Sequence, residues 1–174
     1  MRAANSHAPP IRSLWLRLIV GKNPRVTLIR AAILGLACWL LFRHGLLPVR
    51  ITGISMEPTY RNRSINLVNR FPYLYRQPRR GEVIAIQTTG PSVMYMKRIL
   101  GLPGEQVELR HGKLFINNDL LPEPYVHGDE PWDFPRRTLK PDEYLVLGDN
   151  RSMPIESHAG GVIQRWRIVG PVLW

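Results

Sequence analysis

Ser55 and Lys97 stand 42 positions apart, the serine in GISMEPTY (Gly53–Tyr60) and the lysine in YMKRILGLPGE (Tyr95–Glu105). A serine hydroxyl attacks a carbonyl poorly unless a neighbouring base takes its proton. Of the five histidines, His7 and His44 precede the folded part and His111 falls in a hairpin turn. A Ser-His-Asp triad drawn from His127 or His158 with Asp129 or Asp149 stays open on composition, although none of these lies in a motif that triad enzymes use. Lysine is the other base. Its ordinary pKa must fall by roughly three units to act near neutrality, about 4 kcal/mol of differential stabilisation, which desolvation or a neighbouring cation can supply. Lys97 lies in the apolar run VMYMKRIL, where strand alternation puts Val93, Tyr95, Lys97 and Ile99 on one face and Arg98 on the other. A lysine in an arbitrary strand more often decorates a solvent edge, so this pattern alone leaves both readings open.

The elements that must hold these two residues lie after Pro48, which cannot continue a helix. Short apolar runs with strand character follow one another there: VRITGI, INLV, EVIAI, VMYMKRIL, QVELR, KLFI, EYLVL and RIVGPVLW. Turn signals separate them, among them Arg80-Gly81, Gly90-Pro91, Pro103-Gly104, His111-Gly112, Asn117-Asn118 and Gly148-Asp149-Asn150. No stretch past residue 48 keeps a 3.6-residue apolar period for three turns, so residues 48–174 read as a mostly β domain. VELRHGKLFINN is its clearest hairpin. Residues 122–141, PEPYVHGDEPWDFPRRTLKP, are rich in proline and charge without periodicity and read as a loop-rich surface excursion.

The first 50 residues have a different character. They hold eight Lys/Arg and no Asp or Glu, so of the net charge of +11 only +3 belongs to residues 51–174. A domain with 16 Lys/Arg against 13 Asp/Glu is no basic groove, which argues against nucleic acid as a partner. Cys38 is the one cysteine, so the chain forms no internal disulfide. An apolar run of twelve residues from Ala31 to Phe42 is too short to span a bilayer alone. Extended over residues 26–47 it reads as a transmembrane signal anchor, with Arg30 and Arg43 snorkelling toward the headgroups. Residues 1–25 are then a basic cytoplasmic segment, on the weak lead of six Lys/Arg before the apolar core. RHGLLPVR after Phe42 offers no small-x-small pair for cleavage. By length alone a buried helix of a soluble protein is the alternative.

GISMEPTY, RRGEVIAI, MKRILGLPGE and LVLGDNRSMPIES resemble, in order and spacing, the four sequence boxes of the type I signal peptidases, membrane-anchored Ser-Lys serine proteases. The resemblance covers most of residues 49–174 and implies the packed antiparallel β-sheets of that family's catalytic domain behind one N-terminal transmembrane helix. It makes Ser55 the nucleophile and Lys97 the general base, with Met56 packed beneath them. The oxyanion would take the backbone N–H of Ser55 and a further donor near Gly53, where some members carry a hydroxyl. Asp149 and Arg151 would brace the site, Asp149 pairing with Arg98. One departure stands out: Pro154 occupies the place of a serine that would bond the lysine, leaving Ser152 or a backbone carbonyl to orient Lys97. Glu156 keeps the family's acid, and His158 replaces its arginine partner.

The resemblance further implies shallow pockets walled by Ile51, Met56, Tyr60, Tyr95 and Met96 that accept Ala-sized side chains, although each of these residues reads equally well as core. The substrate would be the signal peptide of an exported preprotein, cut after Ala-x-Ala and laid along a strand edge. No metal or cofactor is implied. Membrane lipid is the other partner, with the domain on the outer face of a bacterial cytoplasmic membrane. Trp132, Trp166 and Trp174 could reach the lipid interface or pack internally. The alternatives are a maturation peptidase dedicated to a conjugation or pilus substrate, and a silent peptide-binding relative suggested by Pro154 and His158. The self-cleaving repressor proteases also use Ser-Lys, but carry a soluble DNA-binding domain where this chain has an apolar helix.

Overall fold

The computed structural model describes residues 23–50, 52–87, 94–157 and 161–173. It divides into two units, Met1–Arg43 and His44–Trp174. In the first, helix α1 spans Pro24–Leu40. Asn23 caps it, its side chain accepting from the Arg25 N–H at 3.1 Å, and Pro24 takes the first turn, where a missing N–H costs nothing. A single π turn, Leu41–Gly45, continues it, and the 22 residues Pro24–Gly45 are long and apolar enough to cross a membrane. The segment is offset from the expected 26–47 because Leu46 and Leu47 already belong to a strand.

The second unit carries eleven strands among its described residues: β1 (Leu46–Arg50), β2 (Ile65–Asn69), β3 (Val83–Gln87), β4 (Met94–Gly101), β5 (Gln106–Arg110), β6 (Lys113–Ile116), β7 (Asp119–Leu120), β8 (Phe134–Thr138), β9 (Glu143–Leu147), β10 (Gly161–Gln164) and β11 (Ile168–Leu173). Seven form one antiparallel sheet in the order β1-β2-β11-β3-β4-β9-β10, and four form another in the order β7-β6-β5-β8. The domain is therefore mostly β, as its short apolar runs predict, and antiparallel, as the resemblance implies. Pro48 does not end the helix. It sits inside β1 opposite Leu67, and β1 is an edge strand, the place in a sheet where proline is tolerated. Gly45 makes the helix-to-strand junction possible, since a Cβ there would lie 2.0 Å from the Phe71 ring.

β9, EYLVL, is buried along its whole length. Leu145 and Leu147 join a core with Leu100, Val107, Leu109, Leu114 and Trp132, while Tyr144 and Val146 join another with Ile84, Ile86, Ile99 and Ile168. A strand covered on both faces has no polar alternation to show, which is why it reads as a continuous run after its first residue, Glu143. The excursion of residues 122–141 is more structured than its composition suggests. It contributes β8, paired with β5, and the buried Trp132 and Leu139. Trp132 donates its indole N–H to Met153 O at 2.8 Å, so it packs internally rather than meeting lipid. Trp166 is exposed, and Trp174 lies outside the described residues.

Candidate active site

Ser55 lies in the loop between β1 and β2, half-buried in a run of turns. The loop closes on itself: Glu57 N–H donates to Ile54 O at 3.0 Å, Tyr60 N–H to Met56 O at 2.9 Å, and Asn62 N–H to the Glu57 carboxylate at 3.1 Å. Gly53 has φ +132°, a conformation that L side chains rarely adopt, so the backbone itself selects glycine at this position. The Gly53 N–H donates to Asn62 Oδ1 at 3.0 Å and is thereby committed to the loop's closure, although a donor for the oxyanion was expected near this residue.

The turn that follows β9 grips this loop. Asn150 donates its backbone N–H to Ser55 O and its side-chain amide to Ile54 O, each at 3.0 Å, and the Thr59 hydroxyl donates to Asp149 Oδ2 at 2.7 Å. On the other side Met56, next to Ser55, shares a buried cluster with Met96, next to Lys97, together with Tyr60 and Val83. Two independent ties thus draw the serine turn onto β4, one polar through Asp149 and Asn150 and one apolar through the methionines.

Lys97 stands opposite Ile84 of β3 and is 1 % exposed. Burial above all, and the nearby Arg151 charge with it, lower its pKa to about 8 against the opposing pull of Asp149. Holding the neutral amine this favourably corresponds to about 3 kcal/mol relative to an ordinary lysine. Asp149 is fully buried and takes a two-pronged bond from Arg98, Nε to Oδ1 at 2.9 Å and Nη2 to Oδ2 at 2.6 Å. The remaining Arg98 nitrogen, Nη1, donates to Gly81 O at 2.8 Å. A fork-to-fork pair of this kind fixes both partners in orientation as well as in charge.

Arg98, Asp149 and Arg151 are therefore gathered about Lys97, while other residues expected to support it are not. The Ser152 hydroxyl donates to Asn150 Oδ1 and is exposed. Pro154 and Glu156 are exposed along a shallow depression of about 290 Å³ with Glu130, Trp132 and Asp133. Glu156 is carried there by the short 3-10 turn Ile155–Ser157. Ile51 and His158 lie outside the described residues. Of the expected pocket walls, Met56, Tyr60 and Met96 are buried together. Tyr95 is partly exposed and lines a narrow depression with Val49, Arg50, Met94, Met96 and Val172. A larger depression of about 430 Å³, between Arg137, Glu143, Val162 and Trp166, shares no residue with this site and lies toward the opposite end of β9 from Asp149.

Thr59, Asn150, Glu123 and Tyr125 belong to the site's surroundings and were not singled out from the sequence. Glu123 pairs with Arg151, and Tyr125 lies under the Arg98 guanidinium, 4.1 Å from ring centroid to charge. Nothing local in the sequence marked Glu123 as the partner of Arg151, which stands 28 residues further along the chain.

A family profile described as "Signal peptidase, peptidase S26" matches residues 25–174. The chain is 31% identical over 168 residues to a "Probable signal peptidase I-2" of Synechocystis sp., covering 92% of this chain and 72% of that one. It is 33% identical over 153 residues to a signal peptidase I of Bacillus amyloliquefaciens, covering 81% of this chain and 79% of that one. The crystal structure of a signal peptidase I from Enterococcus faecalis superposes at a TM-score of 0.44 and 30% identity, over 56% of this chain and 98% of that one. On the family match and these sequence likenesses, the chain belongs to the signal peptidase family, peptidase S26, and is a signal peptidase I enzyme.

Proposed function

We propose that the chain is a single-pass membrane endopeptidase that removes signal peptides after small-x-small sites, with Ser55 as nucleophile and Lys97 as general base. The observation that carries this reading is Lys97 itself, a buried amine whose pKa is lowered to about 8, on a strand tied to the serine turn through Met56 and Met96. In the acylation step the neutral Nζ takes the proton of Ser55 Oγ as Oγ attacks the scissile carbonyl. The oxyanion is held by the Ser55 N–H. Collapse of the tetrahedral adduct breaks the C–N bond, and Lys97 returns the proton to the leaving amine of the mature protein. Lys97 then deprotonates a water that hydrolyses the acyl ester, freeing the signal peptide with a carboxylate end and restoring Ser55.

The peptide would lie extended in the narrow depression between Val49–Arg50 of β1 and Met94–Met96 of β4, with main-chain bonds giving affinity and the pockets giving choice. Bulky walls of methionine and tyrosine leave space for alanine and reject larger side chains. The 22 apolar residues Pro24–Gly45 extend about 33 Å as a helix, enough for the hydrocarbon core. The basic lead-in would stay cytoplasmic and the catalytic domain would stand on the outer face.

The test is cleavage of a preprotein with an Ala-x-Ala site by the detergent-solubilised full chain. Wild type should cut at that site, and Ser55→Ala and Lys97→Ala should each abolish cutting while thermal unfolding stays cooperative. Retained cutting in either variant would reject the dyad. A panel of unrelated preproteins cut with similar efficiency would distinguish a general peptidase from one dedicated to a single substrate.

A further inference from the structure

The segment 123–132 forms a strap against the turn that braces Lys97. His127 N–H donates to Asp149 O at 2.8 Å and Arg151 N–H donates back to His127 O, so the two backbones run together as a short parallel bridge with Asn150 between them. Gly128, at φ +90°, makes the approach possible: a Cβ there would meet Ser152 N at 2.5 Å and the Arg151 carbonyl carbon at 2.7 Å. The strap delivers two groups to Arg151. Glu123 Oε1 lies 2.9 Å from Nη2, with the glutamate side chain 9% and the arginine side chain 3% exposed, and the Trp132 ring lies 4.9 Å under the guanidinium. The Arg151 Nε donates to Gly148 O at 2.9 Å.

Desolvating two ions costs about as much as their attraction returns, so stability gives little reason to keep such a pair. A guanidinium held beside a base has a chemical use. We infer that Glu123 is a positioning residue for the cleavage reaction: its buried ion pair with Arg151 fixes and partly offsets the positive charge beside Lys97, and so sets how readily the lysine gives up its proton. This rests on the Ser55–Lys97 reading above.

The charges around the lysine come from several elements. The turn after β9 supplies Asp149 and Arg151, and β4 supplies Arg98. The strap supplies Glu123 and Tyr125, with His127 exposed. The Ser55 loop supplies Tyr60, and its Glu57 is turned to Asn62. Across the sheet β3 sets the apolar Ile84 opposite Lys97, flanked by Val83 and Ala85, with its one polar residue, Gln87, opposite Met94. Within this set Arg151 disfavours the charged lysine and Asp149 favours it. Burial raises the Glu123 carboxyl above the usual carboxylate range, and Arg151 opposes that rise.

Glu123→Gln keeps an acceptor for Arg151 and removes the charge, leaving the guanidinium field at Lys97 undamped. The acid limb of kcat/KM for preprotein cleavage by the full chain in detergent, followed from about pH 6 to about pH 10, should then move down by about half a pH unit or more. The double variant Glu123→Leu with Arg151→Met replaces the pair by apolar groups of similar size, which such sites tolerate, and removes the cation. Its limb should move up. Opposite shifts support the role, and a purely structural pair would change cleavage without moving either limb. An unmoved limb in the double variant, or a limb that moves the same way in both, overturns it. Lys97→Ala is run alongside: if that variant still cleaves, the reading of the dyad has failed and the limb does not belong to the lysine. If it is dead while the limbs stay put, only the role of Glu123 has failed.

Discussion

Two short strands of this domain each carry a pair of adjacent basic residues, Lys97-Arg98 in β4 and Arg136-Arg137 in β8, and the two pairs meet opposite fates. β4 lies inside the seven-stranded sheet between β3 and β9, where Lys97 is buried and Arg98 closes on the buried Asp149. β8 is the last strand of the four-stranded sheet, and there Arg136 and Arg137 reach Glu108 and Glu143 with 46% and 40% of their side chains exposed. At an edge, charge keeps the strand soluble and blunts pairing with other chains. In the interior the same kind of charge must be neutralised or bonded, and what cannot be fully neutralised becomes reactive. Position in the sheet, rather than residue type, separates chemistry from solubility.

The largest expected difference is in activity. On the dyad proposed above, Lys97→Ala should lower kcat/KM for preprotein cleavage by about 10²-fold to 10⁴-fold or beyond, the range for loss of a general base. Arg137→Ala should leave it within about twofold, as an exposed ion pair allows. A comparable loss in both would erase the contrast. Stability should separate the same strands next. Asp149→Ala strands the half-buried Arg98 and should cost about 3–5 kcal/mol, whereas Glu108→Ala, facing an exposed arginine, should cost less than about 1 kcal/mol in urea titrations of the solubilised chain.

Lys97 itself should weaken the fold at neutral pH. Between its folded value of about 8 and the ordinary 10.5, the unfolded chain binds a proton that the folded chain does not, so wild-type stability rises with pH through that window. Below it both states bind the proton and the penalty of burying the charge is constant. Lys97→Met should therefore stabilise the domain by up to about 3 kcal/mol at pH 7, with the gain shrinking as pH rises above 8. Thermal unfolding at several pH values would read this directly, and a gain that grows with pH would contradict it. The smallest effect belongs to the edge: replacing Arg136 and Arg137 together by valine should change unfolding by less than about 1 kcal/mol yet promote association by light scattering, because a flat apolar edge invites pairing.

Much of this was legible in the residues. β2, β3, β5, β6 and β9 stand where their apolar runs and flanking turns put them, and Lys97 falls inside a strand, β4, as expected. β8 was not legible, because FPRRT has a proline and two arginines and only an edge strand can afford such a sequence. Nor was β1, since Leu46 and Leu47 continue the apolar pattern of the helix and only the pairing of Leu46 with Asn69 draws them into the sheet. Glu123 was hidden for a different reason. Its partner stands 28 residues ahead in the chain, and nothing in PEPYVHG has a period that would announce a buried acid.

The sequence by itself determined the apolar helix, the predominance of strands, and the resemblance that singles out Ser55 and Lys97, because these depend on local period, turn chemistry and motif order. Tertiary structure decided which charges the lysine feels. The resemblance already pointed to Arg98, Asp149 and Arg151, but that Arg151 and Asp149 act on the lysine with opposite sign, and that Glu123 pairs with Arg151 from a strap beside β9's turn, came only with the fold. A pKa depends on distance and burial, and those exist only once the strands have paired and the strap has closed over the turn.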